Sequence, residues 1–112
     1  MEDKLQKKYC PMTETIFYTL LALLTPNHGY GIMKFVRELT NERIKMGTGT
    51  LYTMLGRLVE DQMITVVSEE DGKKTYLITE DGKTLLYMEL SRLRKQCENG
   101  EKILGGENNE EI

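Results

Sequence analysis

The stretch GTGTLYTMLGRLVEDQMI, residues 47–64, decides how the chain is read. Leu51, Leu55 and Leu58 recur at i, i+4 and i+7, so they share one face of a helix. The opposite face carries Thr50, Thr53, Gly56 and Arg57. That face is small, polar and bare. It is either the wet side of a surface helix or a surface shaped to fit a partner, and the segments around it weigh the two.

Toward the N-terminus, a second helix starts at Gly29-Tyr30-Gly31 and carries Ile32, Phe35, Val36 and Leu39 at helical spacing. Residues 42–47 are a short connection, with Ile44 and Met46 expected to tuck inward. Before that helix, Thr25-Pro26-Asn27-His28-Gly29 punctuates the chain. Further back, Thr13 reads as an N-cap with Glu14 in the first turn. Ile16, Leu20, Leu23 and Leu24 follow at helical spacing. Residues 1–10 are polar and read as a flexible N-terminal segment, at most a leading helical turn.

Toward the C-terminus the period changes. Residues 64–68 and 74–78 are rich in β-branched residues or alternate in polarity, and Asp71-Gly72 between them signals a hairpin turn. A two-stranded ribbon is expected. Thr79 then caps a last helix that opens with Glu80 and Asp81. Leu86, Leu90, Leu93 and Cys97 step along it by 4, 3 and 4, a heptad-like seam that can continue to Leu104. Asn99-Gly100 or Gly105-Gly106 is expected to end the helix, and residues 105–112 read as a disordered acidic tail.

The totals exclude several functions. The 112 residues suffice for one modest core. No apolar run reaches the ~20 residues of a membrane span, and no signal-peptide pattern opens the chain, so a cytoplasmic protein without a membrane partner is expected. Cys10 and Cys97 form no disulfide framework. Both have cationic neighbours, but read first as small apolar residues. His28 is the only histidine and lies in a turn. No nucleophile–base pair, phosphate loop or metal-ligand spacing is present. The chain therefore reads as a non-enzyme needing no cofactor and no metal. Net charge is −3. Residues 1–47 hold seven Lys and Arg against five Asp and Glu; residues 48–112 hold eight against thirteen. A nucleic-acid partner, which is mostly cation work, therefore requires a local patch.

The order helix, helix, helix, ribbon, helix is that of a winged helix-turn-helix. The fold class is α+β, mostly helical, with residues 11–79 as the winged unit and residues 80–104 as a C-terminal dimerisation helix. In such a unit the second helix of the pair enters the major groove with its N-terminal residues leading. Threonines there can hydrogen-bond or touch a thymine methyl, and Arg57 lies one turn on. Lys73 and Lys74 at the ribbon tip suit sugar-phosphate contact, opposed by Glu69, Glu70 and Asp71 on the same turn. The candidate contacts with double-stranded DNA are Thr48, Gly49, Thr50, Tyr52, Thr53, Arg57, Lys73, Lys74 and Tyr76.

These segments resemble the PadR family of bacterial transcriptional regulators. The resemblance runs from about Pro11 to Leu93. It is carried by FYTLLALL, HGYGI, GTLYTMLGRLVEDQMI and KKTYLITEDG. It implies a compact member with one C-terminal helix, a homodimer held by that helix with help from the first, and repression through a pseudo-palindromic operator. In some relatives a small aromatic or amphiphilic compound at or near the dimer interface releases DNA. The chain has no Trp, so stacking of flat ligands between tryptophans does not carry over. It also has Gln62 where the family usually has Gly.

An uncovered leucine seam on a chain of this size independently calls for a partner. Phe17, Leu86, Leu90, Leu93 and Cys97 are the expected dimer interface. Phe17, Tyr18, Tyr87 and Met88 offer aromatic and adaptable surface for an effector, a small phenolic or aliphatic compound rather than a large dye. Two functions remain open on the sequence: a DNA-binding repressor, and a winged-helix module that binds proteins and not DNA.

Overall fold

A computed structural model describes the backbone of residues 2–111 and the side chains of residues 4–106. Its elements are α1 (Glu2–Tyr9), α2 (Glu14–Ala22), β1 (Asn27–His28), α3 (Gly29–Leu39), α4 (Thr48–Glu60), β2 (Ile64–Glu70), β3 (Lys73–Ile78) and α5 (Glu80–Glu111). The strands form one antiparallel sheet in the order β1-β3-β2.

The capping chemistry holds. The Thr13 hydroxyl accepts the Ile16 N–H at 3.2 Å, and the Thr79 hydroxyl accepts the Gly82 N–H at 3.1 Å. Asp71 (φ 52°) and Gly72 (φ 78°) both sit in the left-handed region, as a tight hairpin turn demands. Val67 interrupts the ribbon register as an extra residue, and such bulges twist a strand.

The core is built around the leucine stripe of α4. Leu51, Leu55 and Leu58 are fully buried among Leu20, Leu23, Ile32, Val36, Met63, Ile64 and Leu85. Ile44 and Met46 pack against this core. Among the described residues no buried polar side-chain atom lacks a hydrogen-bond partner.

Several expectations are corrected. Residues 2–9 are a helix, not a flexible segment, because Leu5 and Tyr9 are buried. The Tyr9 hydroxyl donates to Asp61 at 2.5 Å, and Lys8 pairs with the same carboxylate at 2.7 Å. The ribbon gains a third strand, since Asn27 and His28 pair with Tyr76 and Thr75. Of the apolar stripe expected on α3, Ile32 and Val36 are buried while Phe35 and Leu39 are exposed, because α3 covers the core with a narrower stripe than its apolar residues span. The last helix does not stop at residue 104. It runs through Gly100, Gly105 and Gly106 to Glu111, since glycine costs a helix about 1 kcal/mol but does not break its hydrogen bonds. The side chains of the expected acidic tail from residue 107 on lie outside the described residues.

One junction fixes where α5 leaves the winged unit. The Thr79 hydroxyl contacts the Gln62 and Met63 carbonyls at 2.7 and 3.0 Å while capping α5. A methyl group at Gly82 would overlap the Met63 carbonyl oxygen, so only glycine lets the first turn of α5 lie this close. Farther along, Glu89 is buried to 1% exposure. It accepts the Met12 backbone N–H at 3.2 Å and two hydrogen bonds from Arg92, at 3.0 and 2.6 Å. The Arg92 guanidinium and that backbone N–H hold the Glu89 carboxyl below its usual range, against the opposing effect of burial. Glu89 thus ties α5 to the segment between α1 and α2.

Candidate nucleic-acid interface

The α4 N-terminus has Gly47 at its cap position and no side-chain capping bond. The first N–H groups of a helix have no intrahelical acceptor, and they suit an anion. Thr48, Gly49, Thr50, Thr53, Gly56 and Arg57 are all exposed. The face that lacks leucine is therefore a real free surface. A shallow groove runs from this face to the N-terminus of α2, where Thr13 and Thr15 meet Gly49, Thr50, Thr53 and Arg57.

The wing stands on the other side of α4. Lys73 and Lys74 begin β3 and are exposed, opposite Glu70 and Glu69 on β2. Between the wing, α3 and α4 lies a second, more enclosed cleft of about 480 Å³. Tyr30, Tyr52, Tyr76, Val59 and both lysines line it, and Gly56 forms part of its wall.

Both tyrosines expected at a DNA surface have structural duties. Tyr76 is buried to 6% exposure and pairs with Val66 and Asn27 on its neighbouring strands. Burial, with Tyr52 and Glu69 nearby, pushes its hydroxyl up. It is therefore a ribbon-core residue and not a solvent-facing contact; the lysines beside it concealed that alternation turns position 76 inward. Tyr52 is half exposed, but its hydroxyl covers Gly29 so closely that any side chain there would overlap it. It fixes how α3 approaches α4. His28 caps α3, its Nδ1 accepting the Gly31 N–H at 3.2 Å. The sequence marked this histidine only as a turn residue.

Residues 19–88, well over half of the chain, match the model of the transcriptional regulator PadR-like family. The chain belongs to the PadR-like family. That family is one of transcriptional regulators. Over 56 residues, half of this chain, it is 38% identical to the transcriptional regulator YqjI of Escherichia coli (strain K12). That match spans 27% of YqjI, so the chain covers about a quarter of the length of the curated relatives it matches. It is also similar to a PadR family transcriptional regulator from Eggerthella lenta DSM 2243, with TM-score 0.68 and 22% identity over 90% of this chain and 86% of that one. A transcriptional regulator from Clostridium thermocellum gives TM-score 0.62 and 26% identity over 77% and 86%.

The residues expected at a dimer interface divide. Leu86, at 6% exposure, belongs to the chain's own core, because the first turns of α5 pack on the winged unit. Leu90 and Leu93 are partly exposed, Ile103 and Leu104 are about two-thirds exposed, and Cys97 is exposed. Phe17 and Met88 pack against the core. Phe17 stacks edge-on against Tyr18 with ring centroids 5.7 Å apart, and the Tyr18 hydroxyl accepts from Arg43 at 3.3 Å. Tyr87 is 70% exposed. The Cys10 thiol is pushed up by burial and by Glu89, with Arg92 opposing, the reverse of what a reactive thiolate needs. No helix among the described residues is long and apolar enough to cross a membrane.

Proposed function

We propose that this PadR-like regulator is a repressor that binds a pseudo-palindromic operator as a homodimer. One observation carries the reading. The uncapped N-terminus of α4 presents Thr48, Gly49, Thr50, Thr53 and Arg57 on one exposed face. The geometry favours insertion into a major groove, because small side chains admit the backbone close to the base edges and Arg57 reaches beyond them. Lys73 and Lys74 on the wing then meet the sugar-phosphate backbone beside the groove.

Helix α5 supports the homodimer. At ~1.5 Å per residue its 32 residues extend ~48 Å, well beyond what the winged unit covers. Leu90, Leu93, Cys97 and Leu104 keep their spacing on the uncovered length. A second α5 laid on this seam buries it and sets the two α4 helices at a fixed distance. An effector seated among Phe17, Tyr18, Tyr87 and Met88 near that seam acts by favouring a dimer with the wrong distance.

Selection of genomic fragments by the purified protein, followed by footprinting, tests the reading. Two protected half-sites separated by about one DNA turn (~34 Å) support it. Selection of no fragment above background overturns it in favour of a protein-binding winged helix.

A further inference from the structure

We propose that Tyr9 and Asp61 are positioning residues for operator recognition. By holding α1 between α4 and α5 they set the angle between those two helices, and with it the half-site spacing that the dimer accepts. The spacing rests on the reading of the chain as an operator-binding homodimer; the angle does not. Helix α4 packs on α3 and β2, whereas α5 packs on α1 and α2. Asp61, at the C-cap of α4, joins the two layers. Its carboxylate accepts the Tyr9 hydroxyl at 2.5 Å and pairs with Lys8 at 2.7 Å. The Lys8 side chain is half exposed, so solvent screens its share. Tyr9 is buried, and a buried hydroxyl donating to a carboxylate is the stronger and more directional contact. Leu5 and Met12 are buried as well, so the segment is fastened before and after Tyr9.

The choice of residues goes beyond what packing asks for. An aspartate at a helix C-terminus meets the negative end of the helix dipole and is disfavoured there. Here Lys8 and Tyr9 offset that cost and hold the Asp61 carboxyl below its usual range. Leverage then gives the contact its consequence. Helix α5 is anchored at its first turn, where Thr79 bonds to the Gln62 and Met63 carbonyls. It is anchored again at Glu89, which accepts the Met12 N–H just beyond α1. The exposed seam begins farther out, at Leu90, Leu93 and Cys97. A tilt of about 10° at the first turn displaces the middle of the seam by ~4 Å in each protomer, more than the ~3.4 Å step between base pairs. The second anchor therefore decides which spacing the two α4 helices match, and α1 ties that anchor to α4.

The test compares the wild-type chain with Tyr9→Phe, which keeps the buried ring, and Asp61→Ala, which keeps the backbone cap of α4. Amide residual dipolar couplings of the full chain read the angle without DNA. The expected result is that wild-type α4 and α5 fit one alignment tensor, whereas in both variants the two helices require different tensors and the α2–α4 set still fits one. Duplexes with the selected half-sites moved apart or together by one base pair read the spacing. The wild type should lose at least tenfold in affinity on either change, and the variants threefold or less. Affinity for a duplex with a single half-site, and the dimer dissociation constant, should stay unchanged. The double variant should tolerate no more than Asp61→Ala alone, since the two side chains form one contact. Wild-type couplings in both variants, an undiminished spacing penalty, or a loss equal on single and paired half-sites would overturn the proposal. A wild-type chain that binds no duplex refutes the operator reading and with it the spacing, while the couplings still decide the angle.

Discussion

Helices α4 and α5 carry the same leucine spacing and meet different fates. On α4, Leu51, Leu55 and Leu58 are all fully buried. On α5 the stripe starts inside the core at Leu85 and Leu86, is partly exposed at Leu90 and Leu93, and is about two-thirds exposed at Leu104. Periodicity reports that a face wants cover. It does not report whether the same chain supplies it. That depends on length: the 13 residues of α4 lie within the span of the winged unit, and the 32 of α5 do not.

The comparison breaks most visibly under leucine substitutions. Leu55→Ala removes a fully buried side chain and should cost about 3–5 kcal/mol of unfolding free energy, measured by urea denaturation. Leu90→Lys/Leu93→Lys should leave the circular dichroism of the winged unit intact while sedimentation moves from dimer to monomer. If both variants lose the fold equally, α5's seam is part of the monomer's core and the contrast fails.

A charge pair marks the point where α5 changes roles. Arg92→Leu strands the Glu89 carboxylate in its buried site. Arg92 is itself 40% exposed, so solvent screening reduces the expected loss to about 1–3 kcal/mol at pH 7. Glu89→Gln, which removes the buried charge and frees Arg92 to water, should cost less. The folded Glu89 and Asp61 carboxyls both lie below their ordinary values, through Arg92 and through Lys8 with Tyr9. Their contribution is therefore full above the ordinary glutamate value of 4.5 and is lost as pH falls through the folded values. In Arg92→Leu burial dominates and pushes Glu89 up, so the deficit relative to wild type should shrink on acidification. A deficit independent of pH between 4 and 7 would show that Arg92 acts by packing alone.

The bare face of α4 can be sharpened in the same manner. Arg57→Ala should cost about 1–3 kcal/mol on the selected operator and little on random duplex. Lys73→Ala/Lys74→Ala should weaken both alike and lower the log–log salt slope by ~0.9 for each phosphate no longer neutralised. Identical behaviour of the two variants would reduce Arg57 to another phosphate contact.

Local signals in the sequence were legible because their cause is local. The Thr13 and Thr79 caps, the Asp71-Gly72 turn and the α4 leucine stripe each need only a few neighbouring residues. What was not legible depends on distant partners. Helix α1 offers only Leu5 and Tyr9, and its anchor is Asp61, 52 residues away from Tyr9. Strand β1 is two residues long and exists only because β3 pairs with it. The burial of Glu89 depends on the Met12 N–H, 77 residues away, as well as on Arg92. Tyr76 stands close to two exposed lysines in sequence, and alternation along β3 turns it inward with Ile78. The two clefts beside α4 draw on segments far apart in the chain, so spacing within any one segment could not define them.

The smallest expected effect lies at Gln62, between α4 and β2. Its φ is +61°, in the left-handed region that glycine adopts without penalty. A residue with a Cβ pays about 1–2 kcal/mol there, partly offset by the extra freedom glycine brings to the unfolded chain. Gln62→Gly should therefore stabilise by about 0.5–1 kcal/mol. The site belongs to the winged unit, since Gln62 N–H bonds to the Val59 carbonyl at 3.0 Å and its own carbonyl accepts from Thr79. The gain should appear in urea unfolding, measured at a concentration where association is saturated, and leave the dissociation constant of the dimer unchanged. A shift in that constant instead would mean that the turn after α4 sets the direction of α5 through Thr79. The two leucine stripes would then be parts of one cooperative unit rather than a core and a separate seam.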